Sequence, residues 1–433
     1  MAPTTTSRRR IRLVPALLLP LLAACRGGLS ADETVEFWAL GREGEVVAQM
    51  LPEFARRHPE VHVRLQQIPW SAAHEKLLTA YVGESMPDLF QVGNTWVAEF
   101  VALDALEPLD ERLGGWAAGA GGDYFAGILD TNVIDGATYA LPWYVDTRLL
   151  FYRTDLLAAA GYAAPPRTWS GWVDALEQVK QRAAGGDFAM LLPVNEWQPL
   201  VILALQRGAR LLRDGGRYGD FQSAAFRQAF AFYVDFFRGE LAPLAGQAEV
   251  ANLYQDFARG LFAAFVSGPW SIGELAARLP AALRDRWSTA PLPAADGPYP
   301  GASLAGGASL AMFRGSPRKD AAWRLLEFLS EPAQQRMLYR LTGDLPSRRS
   351  AWQSGGPAAD PRAQAFAVQL ENVVATPKIP EWERIAAQIN RYGEAVVRRR
   401  LSIDEALAAL DHDVDELLEK RRWMLRRRDR AAS

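Results

Sequence analysis

The side chains in this chain that could do chemistry are carboxylates and indoles, not nucleophiles or metal ligands. Its four histidines, His58, His62, His74 and His412, include one i, i+4 pair, His58 and His62, but Pro59 lies between them and a strand pattern follows. That arrangement argues against two imidazoles sharing a helix face around a metal. The sequence has no Gly-x-Ser-x-Gly or His-Glu-x-x-His motif, and Gly119–Gly122 lacks the Lys-Ser/Thr of a phosphate loop, so no metal, nucleotide or other cofactor is expected. Glu43, Asn94, Asp146 and Glu196 remain as polar candidates, with Trp38, Trp70, Trp96, Trp197 and Trp270 as aromatic ones, each at or just after the end of an expected strand. Asp146 and Glu196 could flank a glycosidic bond as acid and base. The milder use of the same groups is binding. Ionised carboxylates accept hydrogen bonds from hydroxyls, and indole faces stack on the apolar faces of sugar rings.

To converge, these residues must be presented by strand ends, and the clearest presenting unit is Asn252–Trp270. Leu253, Phe257 and Leu261 recur at helical spacing, Gly260 marks the helix end, and Phe262–Val266 is an apolar run suited to a buried strand. Gly268-Pro269 breaks that run just before Trp270. In an open α/β sheet, residues beyond the carboxyl ends of strands face the ligand.

The amino-terminal part has the same rhythm. Thr34–Leu40 reads as a strand, Gly41–Gly44 as a turn, and Glu45–Arg57 as a helix kinked or broken at Pro52. Val61–Ile68 alternates as a second strand, with Trp70 just beyond it. Ala72–Val82 is the next helix, and Asp88–Val92 a strand ending at Gly93-Asn94-Thr95-Trp96, with Asp88 a cap or turn residue. Leu103–Leu109 and Gly114–Gly122 read as irregular surface. Further on, Met190–Pro193 predicts a strand that delivers Asn195-Glu196-Trp197, and the aromatic stripe of Phe221–Phe237 predicts a core helix. Helices follow at Pro317–Leu329, Glu331–Tyr339, Ile379–Arg399 and Ser402–Leu418, the last opened by a Ser402/Glu405 capping box. Arg421–Arg430 is strongly basic and is read as a solvated helix end, not a phospholipid or nucleic-acid contact.

At 433 residues the chain exceeds one ordinary hydrophobic core, so two lobes are expected. A net charge of −2 gives it no overall bias towards nucleic acid. The amino terminus is a leader: Arg8, Arg9, Arg10 and Arg12 precede the apolar run Leu13–Ala24, which is too short to span a bilayer as a helix. It ends in Leu22-Ala23-Ala24-Cys25, a lipobox-like sequence, and Cys25 is the only cysteine, so lipidation there is the expected fate of its thiol.

The Asn252–Trp270 segment, the Met86–Trp96 strand and loop, and Tyr139–Tyr152 with the following Asp-Leu-Leu helix and Pro-x-Thr-Trp turn resemble family 1 extracellular solute-binding proteins. That class includes maltose-binding protein and serves ABC sugar importers. The resemblance runs from Thr34 to about Leu418. It implies an α/β, two-lobed periplasmic-binding-protein fold of type II character, each lobe a mostly parallel sheet flanked by helices, with three hinge crossings near Pro142–Tyr144, Pro291–Pro300 and Gly343–Pro346. Residues 26–142 and 301–343 would form the first lobe, and 143–300 and 344–433 the second. The implied ligand contacts add Thr95, Tyr144, Gly306, Gly307 and Trp382 to the candidates above. The implied partners are a carbohydrate, the permease subunits of an ABC transporter, and the extracytoplasmic face of a membrane through lipid at Cys25, with the protein a monomer and not an enzyme. Leu40, Arg42, Glu43 and Thr95-Trp96 depart from maltose-binding protein at its expected contacts, which points to a mono- or oligosaccharide other than maltose. The alternatives are a polyol phosphate ligand and a secreted glycoside-active enzyme using Asp146 and Glu196.

Overall fold

Val35, Phe37 and Ala39 alternate with half-buried neighbours along Glu33–Leu40, so one face of this strand enters a core while the other packs under a helix. The computed structural model describes residues 33–115, 120–182, 188–246, 252–353 and 355–432. The leader and Cys25 lie outside the described residues, as does part of the Gly114–Gly122 stretch.

The strand Glu33–Leu40 pairs in parallel with Val61–Ile68 and Leu89–Gly93. The last of these pairs antiparallel with Gly306–Met312, which pairs antiparallel with Ala140–Asp146, and Leu345–Pro346 closes the edge of this six-stranded sheet. A second, four-stranded sheet runs Trp287–Ala290, Leu149–Arg153, Ala264–Ser267, Met190–Leu191. In that sheet only the last pair is parallel. The two-lobed α/β architecture is as expected, but the sheets are mixed and not mostly parallel. The reason is connectivity: a strand that re-enters a sheet after crossing from the other lobe need not follow the βαβ direction rule.

Sheet pairing also moves the expected lobe boundaries. Ala140–Asp146 stays in the first sheet to its last residue, so a division after Pro142 would cut a continuous strand, and the first crossing falls at Thr147-Arg148. Likewise Leu345 still pairs with Val145, so the chain leaves the first sheet after Pro346. Ser347 fastens this corner: its hydroxyl donates to Pro142 O at 2.6 Å and accepts from Gln335 Nε2 at 2.8 Å.

Local expectations hold with shifts of a few residues. The helix expected over Glu45–Arg57 is two, Gly41–Val47 and Leu51–Arg57, and Pro52 sits in the first turn of the second, where its missing N–H costs nothing. The stretch Leu103–Leu109 is not surface, since Ala105, Leu106 and Leu109 are buried. Asp88 is a buried structural acceptor that takes hydrogen bonds from Glu36 N at 2.9 Å and Ser316 Oγ at 2.6 Å. Ser402 and Glu405 form the reciprocal capping box. The aromatic stripe Phe221, Phe226, Phe230, Tyr233 and Phe237 is core.

Candidate functional site

A cavity of about 550 Å³ lies between the two sheets, within the range of small-molecule sites. Four of the five tryptophans singled out above line it: Trp70, Trp96, Trp197 and Trp270. Each of three sits over a glycine that leaves room for it. A Cβ on Gly268 would lie 2.0 Å from the Trp270 ring, one on Gly41 2.3 Å from Trp70, and one on Gly93 3.0 Å from Trp96. The Gly-Pro-Trp sequence is therefore a fold-back of the indole over its own turn. Trp270 opens the helix Trp270–Arg278, and the Arg148 guanidinium lies 4.6 Å from its ring centroid, a cation–π contact.

The polar side of the cavity is acidic. Glu43 is only 5% exposed although it lines the cavity, and it is held by donors: the Tyr144 hydroxyl and the Trp70 indole N–H. Gln91 fixes Tyr144 in turn, its Nε2 donating to the phenol oxygen at 3.3 Å while its Oε1 accepts from Leu40 N at 2.8 Å. Asp344 lies close enough to Glu43 for the two carboxyls to disfavour each other's ionisation. Burial, reinforced by the Glu43 charge, pushes the Asp344 carboxyl up to about 7, and burial likewise raises Glu43 against its donated hydrogen bonds. Asp146 is raised by burial, with the Arg148 charge pulling the other way.

Of the other expected contacts, Asn94, Thr95, Gly306 and Gly307 line the cavity. Two of them spend their polar ends on protein. Asn94 Nδ2 donates to Ala305 O at 2.8 Å, and Thr95 Oγ1 donates at 2.5 Å to Glu383 Oε1, on a helix packed in the second lobe. Gly307 lies at φ 134°, and a Cβ there would meet Tyr144 O at 2.2 Å, so the Gly-Gly pair serves a tight bend as well as the cavity wall.

Three expected contacts are not in the cavity wall. Trp38 falls on the alternate face of its strand, against the Leu40, Ile68 and Ala73 cluster, with Lys76 Nζ 4.9 Å over its ring. Trp382 is fully buried on the Ile385/Ile389 stripe of its helix and buttresses Trp197 edge-on, ring centroids 5.3 Å apart. Glu196 lies in the turn before the helix Gln198–Gln206, and it is the next two residues, Trp197 and Gln198, that reach the cavity. Asp146 and Glu196 therefore do not face each other across it.

Sequence reasoning missed Thr147, Arg148 and Asp344, which line the cavity from the crossings. Asp344 stands in the Gly343–Ser347 motif recognised as a crossing, and a carboxylate in a hinge loop facing the cleft was the available signal. Thr147 and Arg148 had none, because only strand pairing reveals that the crossing is theirs.

Two mixed α/β lobes joined by three crossings, with one aromatic and acidic cavity between them, define a cleft-type solute-binding protein. The chain belongs to the bacterial extracellular solute-binding protein family, whose profile matches residues 38–336. Among solved structures it is similar to the sugar-binding protein MalE of Xanthomonas citri, at 45% identity and a TM-score of 0.87, over 91% of this chain and 99% of that one. It is similar also to the GacH receptor of Streptomyces glaucescens GLA.O, at 26% identity and a TM-score of 0.77, over 90% and 99% of the two chains. Among characterised relatives, the diacetylchitobiose-binding protein DasA of Streptomyces coelicolor is 28% identical over 89% of this chain and 92% of its own.

The raised Asp344 carboxyl sets a pH dependence. Its ordinary value is 3.8, so between about pH 4 and pH 7 the folded state holds a proton that the unfolded chain has released. The stability this group contributes is complete below that window and is lost as the pH rises through it. Asp344→Asn should therefore melt above the parent at pH 8, with the gap closing towards pH 4. A melting-temperature difference that stays constant across this range would exclude the raised Asp344 carboxyl.

Proposed function

We propose that this protein captures a carbohydrate in the cleft and delivers it to the permease subunits of an ABC importer, acting as a monomeric binding protein and not as an enzyme. The observation that carries this reading is the convergence of Trp70, Trp96, Trp197 and Trp270 with Glu43, Asp146 and Asp344 on one cavity. Indoles offer stacking faces for pyranose rings, and carboxylates accept from ring hydroxyls. Asp146 Oδ1 and Thr147 Oγ1, on residues that line the cavity, are buried without a protein hydrogen-bond partner, which supports a role for a ligand hydroxyl as that partner once it enters the site. Relatives named for diacetylchitobiose and maltotriose support the substrate class. The cavity wall carries Glu43, Asp146, Glu274 and Asp344 against Arg42 and Arg148, and this acidic excess favours a neutral polyhydroxyl ligand over a polyol phosphate, while the absence of Glu196 from the wall speaks against hydrolysis by the Asp146/Glu196 pair.

Calorimetric titration with diacetylchitobiose, maltotriose and mannitol, run beside a reducing-sugar assay, tests the reading. At least one neutral ligand should bind with no new reducing ends. Appearance of reducing ends would turn the reading towards the enzyme. With the ligand so found, Trp270→Ala should bind roughly thirtyfold more weakly, about 2 kcal/mol, with little change in melting temperature. Unchanged affinity with a clearly lowered melting temperature would make Trp270 a core residue.

Hinge closure is how two-lobed binding proteins of this kind respond to ligand as a class. Here the lobes would rotate about Thr147-Arg148, the segment between Ala290 and Gly306, and the chain beyond Pro346. Small-angle scattering should show the radius of gyration fall on saturation. An unchanged profile at saturating ligand would rule out closure.

The Leu22–Cys25 sequence supports export and a lipid anchor at Cys25. The native protein should begin at Cys25 and carry acyl chains there. A free, unmodified amino terminus in intact mass spectrometry would refute the anchor.

A further inference from the structure

The carboxyl-terminal helix Glu419–Ala432 concentrates charge in a chain whose net charge is only −2: it carries Lys420 and six arginines against Glu419 and Asp429. Its two sides are used differently. Arg421, Arg422, Leu425 and Asp429 share one side and fasten the helix to the hairpin formed by Leu212–Arg213 and Tyr218–Gly219. Arg421 Nε donates to Gly216 O at 3.2 Å, Arg422 Nη1 donates to Arg217 O at 3.1 Å, and Asp429 accepts from Arg217 at 2.5 Å. The Arg422 guanidinium also lies 4.8 Å from the Tyr218 ring centroid. This side is a docked face.

The opposite side carries Lys420, Trp423, Met424 and Arg427, the i, i+3, i+4, i+7 set of one stripe, with Glu419 and Arg426 at its margin. Trp423 is 57% exposed and Met424 49%, and Trp423 is the most exposed tryptophan among the described residues. The Arg427 guanidinium lies 4.7 Å from the Trp423 ring centroid, so the indole is flanked by cation while its other face stays open to solvent. A solvated helix end would need no large apolar side chain on its open face. An indole and a thioether ringed by cations is the side-chain set that enters the headgroup and upper acyl region of a bilayer while the cations meet lipid phosphates.

We propose that this outer face is a docking surface for a bilayer containing anionic phospholipid, with Trp423 and Met424 inserting and Lys420, Arg426 and Arg427 contacting headgroups. Charge complementarity selects the partner, since a cationic stripe flanking an exposed indole is attracted to an anionic surface although the chain as a whole is net negative. The site is separate from the cleft and from any lipid at Cys25. It would orient the protein on the membrane, with the second lobe towards the surface.

The test uses the chain from residue 26 onward, so that neither an acyl chain nor the cationic, apolar leader contributes, and co-sedimentation with vesicles of phosphatidylcholine alone or with added phosphatidylglycerol. The chain should sediment with the phosphatidylglycerol vesicles, not with pure phosphatidylcholine, and should be released at about 0.5 M salt, where screening lengths fall to a few ångströms. Each neutralised cation should lower binding about fivefold, so Lys420→Gln with Arg427→Gln should lower it roughly twenty-fivefold. Trp423→Ser, which keeps every charge, should also weaken binding. Because all three side chains are on the open face, the variants should keep the parent melting temperature, which separates lost binding from lost folding. Failure to bind anionic vesicles, equal binding to neutral ones, variants that bind like the parent, or tighter binding to a single-stranded oligonucleotide than to vesicles would each overturn the proposal.

Discussion

The strand Gly306–Met312 fills the gap between Leu89–Gly93 and Ala140–Asp146 and hydrogen-bonds to both. Without it the first sheet would be two separate pieces. Because this strand comes from the second half of the chain, the polypeptide must leave the first lobe, build most of the second, and return, so neither lobe is contiguous and every crossing borders the cavity. The insertion is tight. Gly307 approaches the Tyr144 carbonyl more closely than any Cβ allows, and the register slips between Ala308 and Ser309, a bulge of the kind that redirects side chains beside functional sites. Tyr144 and Asp146, on the partner strand, are aimed by that pairing.

The acidic floor follows from the same constraint. Glu43 comes from the first turn of the helix Gly41–Val47, Tyr144 and Asp146 from the partner of the inserted strand, and Asp344 from the last crossing. Ionising all of these carboxyls in a half-enclosed space is costly, and burial with the neighbouring Glu43 charge raises the Asp344 carboxyl. Donors ordered behind them, from Gln91 through Tyr144 to Glu43, hold the geometry without adding charge. Such a floor is costly to build and suits a ligand that donates hydrogen bonds, which is why it bears on ligand chemistry more than on stability.

Across the cavity, the aromatic side is assembled from both lobes: Trp70 and Trp96 from the first, Trp197 and Trp270 from the second. Thr95 and Glu383 already join the two sides directly, and Arg148 at the first crossing lies over Trp270. The carboxyl-terminal helix is set apart from this arrangement, docked by one arginine-bearing side and open on the other.

Local sequence determined what depends on nearest neighbours along the chain. The strand Glu33–Leu40, the Leu253–Arg259 helix ended by left-handed Gly260, the break at Gly268-Pro269 before Trp270 and the capping box at Ser402 were legible because periodicity, glycine and cap chemistry act within a few residues. The family motifs also made the two-lobed fold and much of the cavity readable, Trp70, Trp96, Trp197 and Trp270 included. Tertiary structure alone decided which strand ends share the cavity. Trp38 and Trp382 have the residue type but face a helix and a core, since strand phase and helix face rest on partners distant in sequence. Asp344 and Arg148 joined the site because strand pairing, a long-range interaction, fixes where the chain crosses between lobes.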